Sequence, residues 1–207
     1  MGIAEEIAET VAAHPSVALI EPIGSRARGT ATELSDWDFR VTTDDFGRVA
    51  ADLPGMAAPH GPLAAQWDPL GDVESYLLIF PGPVKVDLIF PEMPRSRNRP
   101  WRVGPDTLAA MDAHFWDWSL WLVSKRRHGM TDRVRGELLK MSRHLLRPLG
   151  IDTLPLSLEE AADRYVRARD RLETRYGTRI SRRLEEEVLP LVRQSHRDHY
   201  RPSGLPS

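Results

Sequence analysis

Not one of the 207 residues is cysteine, so the chain can build neither a disulfide framework nor a thiolate metal site. It also lacks any long apolar run. The longest, Tyr76-Leu77-Leu78-Ile79-Phe80, is far too short to cross a bilayer, and no membrane segment is expected. The N-terminus carries Glu5, Glu6 and Glu9 where a signal peptide would have basic and apolar regions, so the expected location is cytoplasmic. Internal repeats and low-complexity stretches are missing too. A strong excess of base is likewise absent: the formal net charge is −2, which argues against a continuous nucleic-acid surface. Hydrophobic content of 41% and charged content of 28% are ordinary for a soluble globular protein.

What is present changes character along the chain. Ile3, Ile7 and Val11 recur four apart and predict an amphipathic first helix. Residues 17–24 (VALIEPIG) read as a buried strand ending in a glycine turn, followed by a short helix and a second strand over 36–43. Asp44-Asp45 is placed to cap a helix over 45–53, and Pro54 to Pro62 reads as a loop. Ala64 to Trp67 suggests a short strand. Glu74–Phe80 and Val84–Phe90 predict a hairpin around Pro81-Gly82-Pro83, and Pro91 to Pro105 reads as an interdomain connection. Beyond it the spacing turns helical, with Leu108, Met111, Phe115, Trp118 and Leu122 at intervals of three and four. Val134, Leu138, Met141 and Leu145 continue the pattern, a third segment follows the Ser157-Leu-Glu-Glu capping box, and a fourth covers Ser181–Tyr200 with Pro190 inside. The expected fold is therefore α+β: a mixed sheet with flanking helices in residues 1–104, then a four-helix bundle in residues 105–207.

The chemistry concentrates in the first of these halves. Asp36 and Asp38 sit two apart on a strand and so project to one side, and Asp87 lies inside the hydrophobic strand Val84-Lys85-Val86-Asp87-Leu88-Ile89-Phe90. Three carboxylates brought together would repel one another unless a divalent cation neutralised them. Mg²⁺ suits, because it takes carboxylate and phosphate oxygens in an octahedral shell. One ion with ligand bonds of about 2.1 Å requires Asp38 and Asp87 to lie within about 8 Å of each other. Gly24-Ser25, eleven residues before Asp36, offers backbone N–H groups and a hydroxyl to a phosphate, with Arg26 and Arg28 adding positive charge. Arg28 is equally able to pair with a nearby acid, and Lys85 reads as an exposed lysine.

The stretch Gly24-Ser25-Arg26-Ala27-Arg28-Gly29, then Ser35-Asp36-Trp37-Asp38, then Asp87, resembles the DNA-polymerase-β-type nucleotidyltransferases over roughly residues 16–91. Within them it is most similar to the small enzymes that adenylylate aminoglycoside and lincosamide antibiotics. The resemblance implies Mg²⁺-dependent transfer of a nucleotidyl group, with adenylyl expected, from a nucleoside triphosphate such as ATP to a hydroxyl of a small acceptor, with release of pyrophosphate. It assigns the metals and catalysis to Asp36, Asp38 and Asp87, and the triphosphate to Gly24, Ser25, Arg28 and Lys125. Asp87 is the first choice of general base, ahead of Glu74, Glu92, Asp112 and Asp117. Trp118, Trp121 and Asp117 would offer the acceptor an apolar wall and an acid.

Charge distribution fits that picture without requiring it. Residues 1–104 hold 15 Asp and Glu against 9 Lys and Arg, and residues 105–207 hold 15 against 19. An antitoxin-type enzyme that adenylylates a partner protein, and a silent copy that binds nucleotide or a partner without turnover, are the alternative readings. A homodimer is compatible with the sequence. Five histidines of the second half, including the helical pair His196 and His199, show no spacing that demands a metal.

Overall fold

The computed structural model describes residues 2–69, 71–94 and 101–199, the side chains of 196–199 excepted. The middle of the expected connection, the His196 and His199 side chains and residues 200–207 lie outside the described residues. The chain divides into two compact units, residues 1–98 and 99–207.

The first unit runs α1 (Ile3–Ala12), β1 (Val17–Ile23), α2 (Gly24–Ala27), β2 (Trp37–Thr43), α3 (Phe46–Ala57), β3 (Ala64–Trp67), β4 (Val73–Phe80) and β5 (Val84–Pro94). Its strands form one sheet in the order β1-β2-β5-β4-β3. Only β2 and β5 pair in parallel; the others are antiparallel. Alternation along the strands divides their side chains between two faces. Phe39, Val41, Val86, Leu88, Phe90, Tyr76, Leu78 and Phe80 join one core with Ala4, Ile7 and Val11 of α1 and Val49, Leu53 and Ala57 of α3. The residues between them, Asp38 and Arg40 on β2 and Lys85 and Asp87 on β5, belong to the opposite face.

Two boundaries differ from expectation. The helix expected to stop at residue 53 continues through Pro54 to Ala57. A proline there removes one backbone donor, yet Val49, Leu53 and Ala57 fall four apart on one stripe, and their burial against the sheet outweighs the loss. β5 likewise does not end at Phe90 but runs on to Pro94, with a register shift where Val73 meets Pro94 and Glu74 meets Phe90. Pro91 is tolerated there because it falls within the shift, outside the paired register, and Pro94 because it ends the strand.

The second unit consists of α4 (Leu108–Arg127), α5 (Thr131–Met141), α6 (Leu158–Tyr176) and α7 (Arg183–His199). A π turn at Ser142–Leu146 and a 3₁₀ turn at Arg147–Leu149 extend α5. Ser157 caps α6, its Oγ accepting from the Glu160 N–H at 3.1 Å, while the Glu160 carboxylate accepts from the Leu156 N–H at 2.7 Å. The second half of the capping box thus closes one residue earlier than the motif predicts. The three-and-four spacing of α4 predicts an amphipathic helix, but α4 packs against α5, α6 and α7 and is buried on nearly every side.

That burial forces the polar residues of α4 to find partners. Asp112, only 3% exposed, accepts from Tyr165 Oη at 2.6 Å, Arg169 Nη1 at 3.2 Å and Trp116 Nε1 at 3.3 Å. Arg169 in turn meets Glu185 at 2.6 Å and Asp170 at 3.0 Å. Burial pushes the Asp112 carboxyl above its ordinary range, against the opposing pull of Tyr165 and Arg169. Asp112, one of the general bases the sequence allows, is thereby committed to holding three helices together. Asp112→Ala should destabilise the protein by about 1–3 kcal/mol, because it takes the acceptor from the buried Tyr165 hydroxyl and one of three carboxylates from Arg169. Urea unfolding checks this, and a change below about 1 kcal/mol would show that the network contributes little.

Candidate active site

The site is built at the point where three neighbouring chain segments reach the same end of the sheet. β1 pairs with β2 so that Ile23 stands opposite Asp38, and β2 pairs with β5 so that Asp38 stands opposite Asp87. Gly24, Asp38 and Asp87 therefore fall nearly in a row across three strands. Asp36, two residues before Asp38, returns to the same side. One carboxylate oxygen from each of Asp36, Asp38 and Asp87 lies within 4.8 Å of the others. Opposite ligands of one octahedral Mg²⁺ are about 4.2 Å apart, so a small inward movement would let a single ion reach all three. Among the described residues no other group of three His, Asp or Glu side chains has this geometry.

Gly24 is fixed by two constraints at once. Its φ of +69° lies in the left-handed region, which costs a residue with a side chain about 1–2 kcal/mol. A methyl group there would also collide with Asp38 Oδ2 and stand 3.0 Å from Asp38 Cγ. The glycine is thus what allows the turn to pass directly over the carboxylate. α2, a single turn, follows at once, and the Ser25 carbonyl accepts from the Thr30 N–H at 2.9 Å, folding the loop back on itself.

Arg26 does more than add positive charge beside the turn. Its Nε and Nη2 donate to the Ser35 carbonyl at 3.1 and 2.7 Å, and its guanidinium stacks 4.1 Å from the Trp37 ring. It thereby ties the glycine-serine turn to the head of β2, just ahead of Asp36. Partial burial lowers its pKa from the usual arginine value, while Asp36 and Asp38 act in the opposite sense. Arg28 is exposed.

Lys85 is the clearest departure from expectation. Instead of being solvated, it is 9% exposed, with its Nζ 3.2 Å from Asp87 Oδ2 and 3.7 Å from Asp36 Oδ2. The signal was in the alternation, since Lys85 and Asp87 share a strand face. What the sequence lacks is any sign that β5 lies between two other strands, where its first seven residues are buried or half-buried.

Neither Glu74 nor Glu92 belongs to the group of three. Glu74 stands on β4 opposite Phe90, and Glu92 is exposed on β5. In the second unit, Asp117 is 7% exposed on α4, and the Lys125 ammonium rests 5.0 Å from the Trp121 ring centre. Arg133 approaches the same ring at 5.2 Å.

The first unit thus places an acidic triad beside a glycine-serine turn on a five-stranded sheet backed by two helices. Residues 4–92 match the model of the nucleotidyltransferase domain family. Among solved structures, the chain is similar to the polymerase core of TRAMP, an RNA surveillance complex. The identity is 15%, over 61% of this chain and 40% of that one, with a TM-score of 0.37. It is also similar to an aminoglycoside 6-adenyltransferase from Bacillus subtilis, at 12% identity over 93% of this chain and 97% of that one, with a TM-score of 0.33. The chain thus spans about 40% of the length of the first of these. Likenesses of that size carry no argument about substrate. No curated protein matches the sequence.

The close approach at Gly24 makes a direct test. Gly24→Ala should reduce nucleotidyl transfer roughly a hundredfold, because it displaces the Asp38 carboxylate by about an ångström. Steady-state turnover with the substrates of the wild-type protein, beside a far-ultraviolet spectrum to verify folding, checks this. A folded variant with wild-type turnover would show that the turn need not press on Asp38.

Proposed function

We propose that the protein transfers a nucleotidyl group, with adenylyl as the expected moiety, from a nucleoside triphosphate to a hydroxyl of a small molecule in a magnesium-dependent reaction. The observation that carries this reading is the convergence of Asp36, Asp38 and Asp87 to within 4.8 Å. Three carboxylates at that distance are a poor structural device and a good cation cradle. A lysine ammonium already lies 3.2 Å from Asp87, so the donors accept positive charge where the ion would sit. Asp36 and Asp38 would hold Mg²⁺ together with the triphosphate, and Asp87 would complete the shell nearer the acceptor. When bound, the metal supplies Lewis-acid neutralisation of charge on the attacking and leaving oxygens.

The chain's own residues position the reactants around that centre. The N–H groups and hydroxyl of the Gly24-Ser25 turn hold phosphate oxygens, and Arg28 and Lys125 are proposed as cationic partners of the triphosphate. Asp87 takes the proton of the acceptor hydroxyl. The acceptor oxygen bonds to the α-phosphorus as the bond from the α-phosphorus to the bridging oxygen breaks, and pyrophosphate leaves. Most of the rate then comes from orientation and electrostatic stabilisation rather than from covalent chemistry.

The acceptor class is drawn from the sequence resemblance to aminoglycoside and lincosamide nucleotidyltransferases. Incubation with each labelled triphosphate, Mg²⁺ and a panel of those antibiotics tests it, since label should pass to one compound of the panel and pyrophosphate should appear in equal amount. In that assay Asp38→Asn should fall below about a tenth of wild-type turnover, because it removes a metal-holding charge with little change of volume. Retention of more than that would count against the metal reading.

Ser25→Ala probes the phosphate turn separately. It should weaken triphosphate use by about 1–3 kcal/mol if the hydroxyl meets a charged oxygen, while leaving the unfolding midpoint nearly unchanged. Unaltered Michaelis constant and turnover would remove Ser25 from the site.

A further inference from the structure

The lysine in the middle of the triad calls for an explanation that neither fold nor phosphate chemistry provides. A buried ammonium is expensive unless it is paired, and an apolar side chain on this inner strand would cost nothing in desolvation. Lys85 instead sits at 9% exposure and reaches two carboxylates that come from different segments, Asp36 at the head of β2 and Asp87 on β5. It bridges two of the three acids proposed to hold the cation.

We propose that Lys85 is a built-in counter-ion of the aspartate triad: its ammonium holds the carboxylates together while the site is free of divalent cation and lowers the affinity with which such a cation binds. The inference rests on the metal reading above and concerns a residue to which that reading gives no role. The charges require it. Asp36, Asp38 and Asp87 gathered alone would carry three like charges within 4.8 Å, and that repulsion opposes the β2–β5 pairing that brings them together. One ammonium among them offsets part of it. Lysine suits this task better than arginine, because a compact charge on a flexible four-carbon stem can withdraw from the carboxylates, whereas a guanidinium fork would lock onto them. Entry of a divalent ion then sets two positive charges against one, and the lysine either moves aside or stays at an energetic cost. In both cases metal affinity is lower than the carboxylates alone would give, so the ion is taken up most readily when the triphosphate contributes its own negative charge.

The test is direct titration of the full-length protein with Mn²⁺, followed by electron paramagnetic resonance in the absence of nucleotide, beside thermal unfolding of the metal-free protein. Lys85→Met should lower the Mn²⁺ dissociation constant at least ~10-fold, since it removes a positive charge a few ångströms from a divalent ion. The same variant should melt at a lower temperature than wild type when metal-free and recover more of that loss on adding Mn²⁺. Lys85→Arg, which keeps the charge, should leave the metal-free melting temperature close to wild type. Lys85→Gln, neutral and of similar length, reads the same dissociation constant should Lys85→Met fail to fold.

An unchanged or weakened Mn²⁺ affinity in the neutral variants, with wild type binding normally, overturns the counter-ion role alone. If wild type and Asp38→Asn both bind no Mn²⁺, the metal reading itself fails, and this inference with it.

Discussion

Three carboxylates held within 4.8 Å of one another impose the constraint on which the catalytic unit is organised. Like charges at that separation push apart with an energy comparable to the stability of a whole domain unless something offsets it. The sheet supplies the opposing force. Phe39, Val41, Val86, Leu88 and Phe90 anchor β2 and β5 against α1 and α3, and the same strands carry the acids on their other face. Apolar burial on one side thus holds an unfavourable arrangement on the other in readiness for positive charge. Strain of this kind, stored at a functional site and offset elsewhere, is a recurring cost of pre-organisation.

The two units manage buried charge in opposite ways. In the helical unit, Asp112 accepts from Tyr165, Arg169 and Trp116, and each guanidinium nitrogen of Arg169 and Arg182 involved there has an acid in reach. Every member gains from the same arrangement, and that network fixes the packing of α4, α6 and α7. In the catalytic unit, one lysine bridges two of three acids that are gathered closely enough to hold a cation.

Much of this was legible in the residues alone. Two-residue alternation placed Asp36 with Asp38, and the glycine-serine turn and the hydrophobic setting of Asp87 pointed to one site, because each is a local property of a strand or turn. The switch to three-and-four spacing after residue 105 likewise announced helices. What could not be read depended on neighbours distant in sequence. Lys85 looks like a surface lysine until β4 and β2 flank its strand. Pro54 looks like a helix stop until the stripe of Val49, Leu53 and Ala57 is seen to lie on the sheet. Arg26 reads only as added positive charge until the Ser35 carbonyl and the Trp37 ring are seen to hold it. Asp112 looks like a candidate base until α4 proves to be buried on nearly every side.

The parallel pairing of β2 with β5 has a consequence for how the protein reaches its native state. Asp38 and Asp87 become neighbours only after α3, β3 and β4 have been laid down between them. Loop-closure entropy delays a pairing of that range relative to the β4–β5 hairpin of the same sheet. A chain whose β2 and β5 have not yet paired therefore cannot gather the three carboxylates, however complete its hairpin and helices.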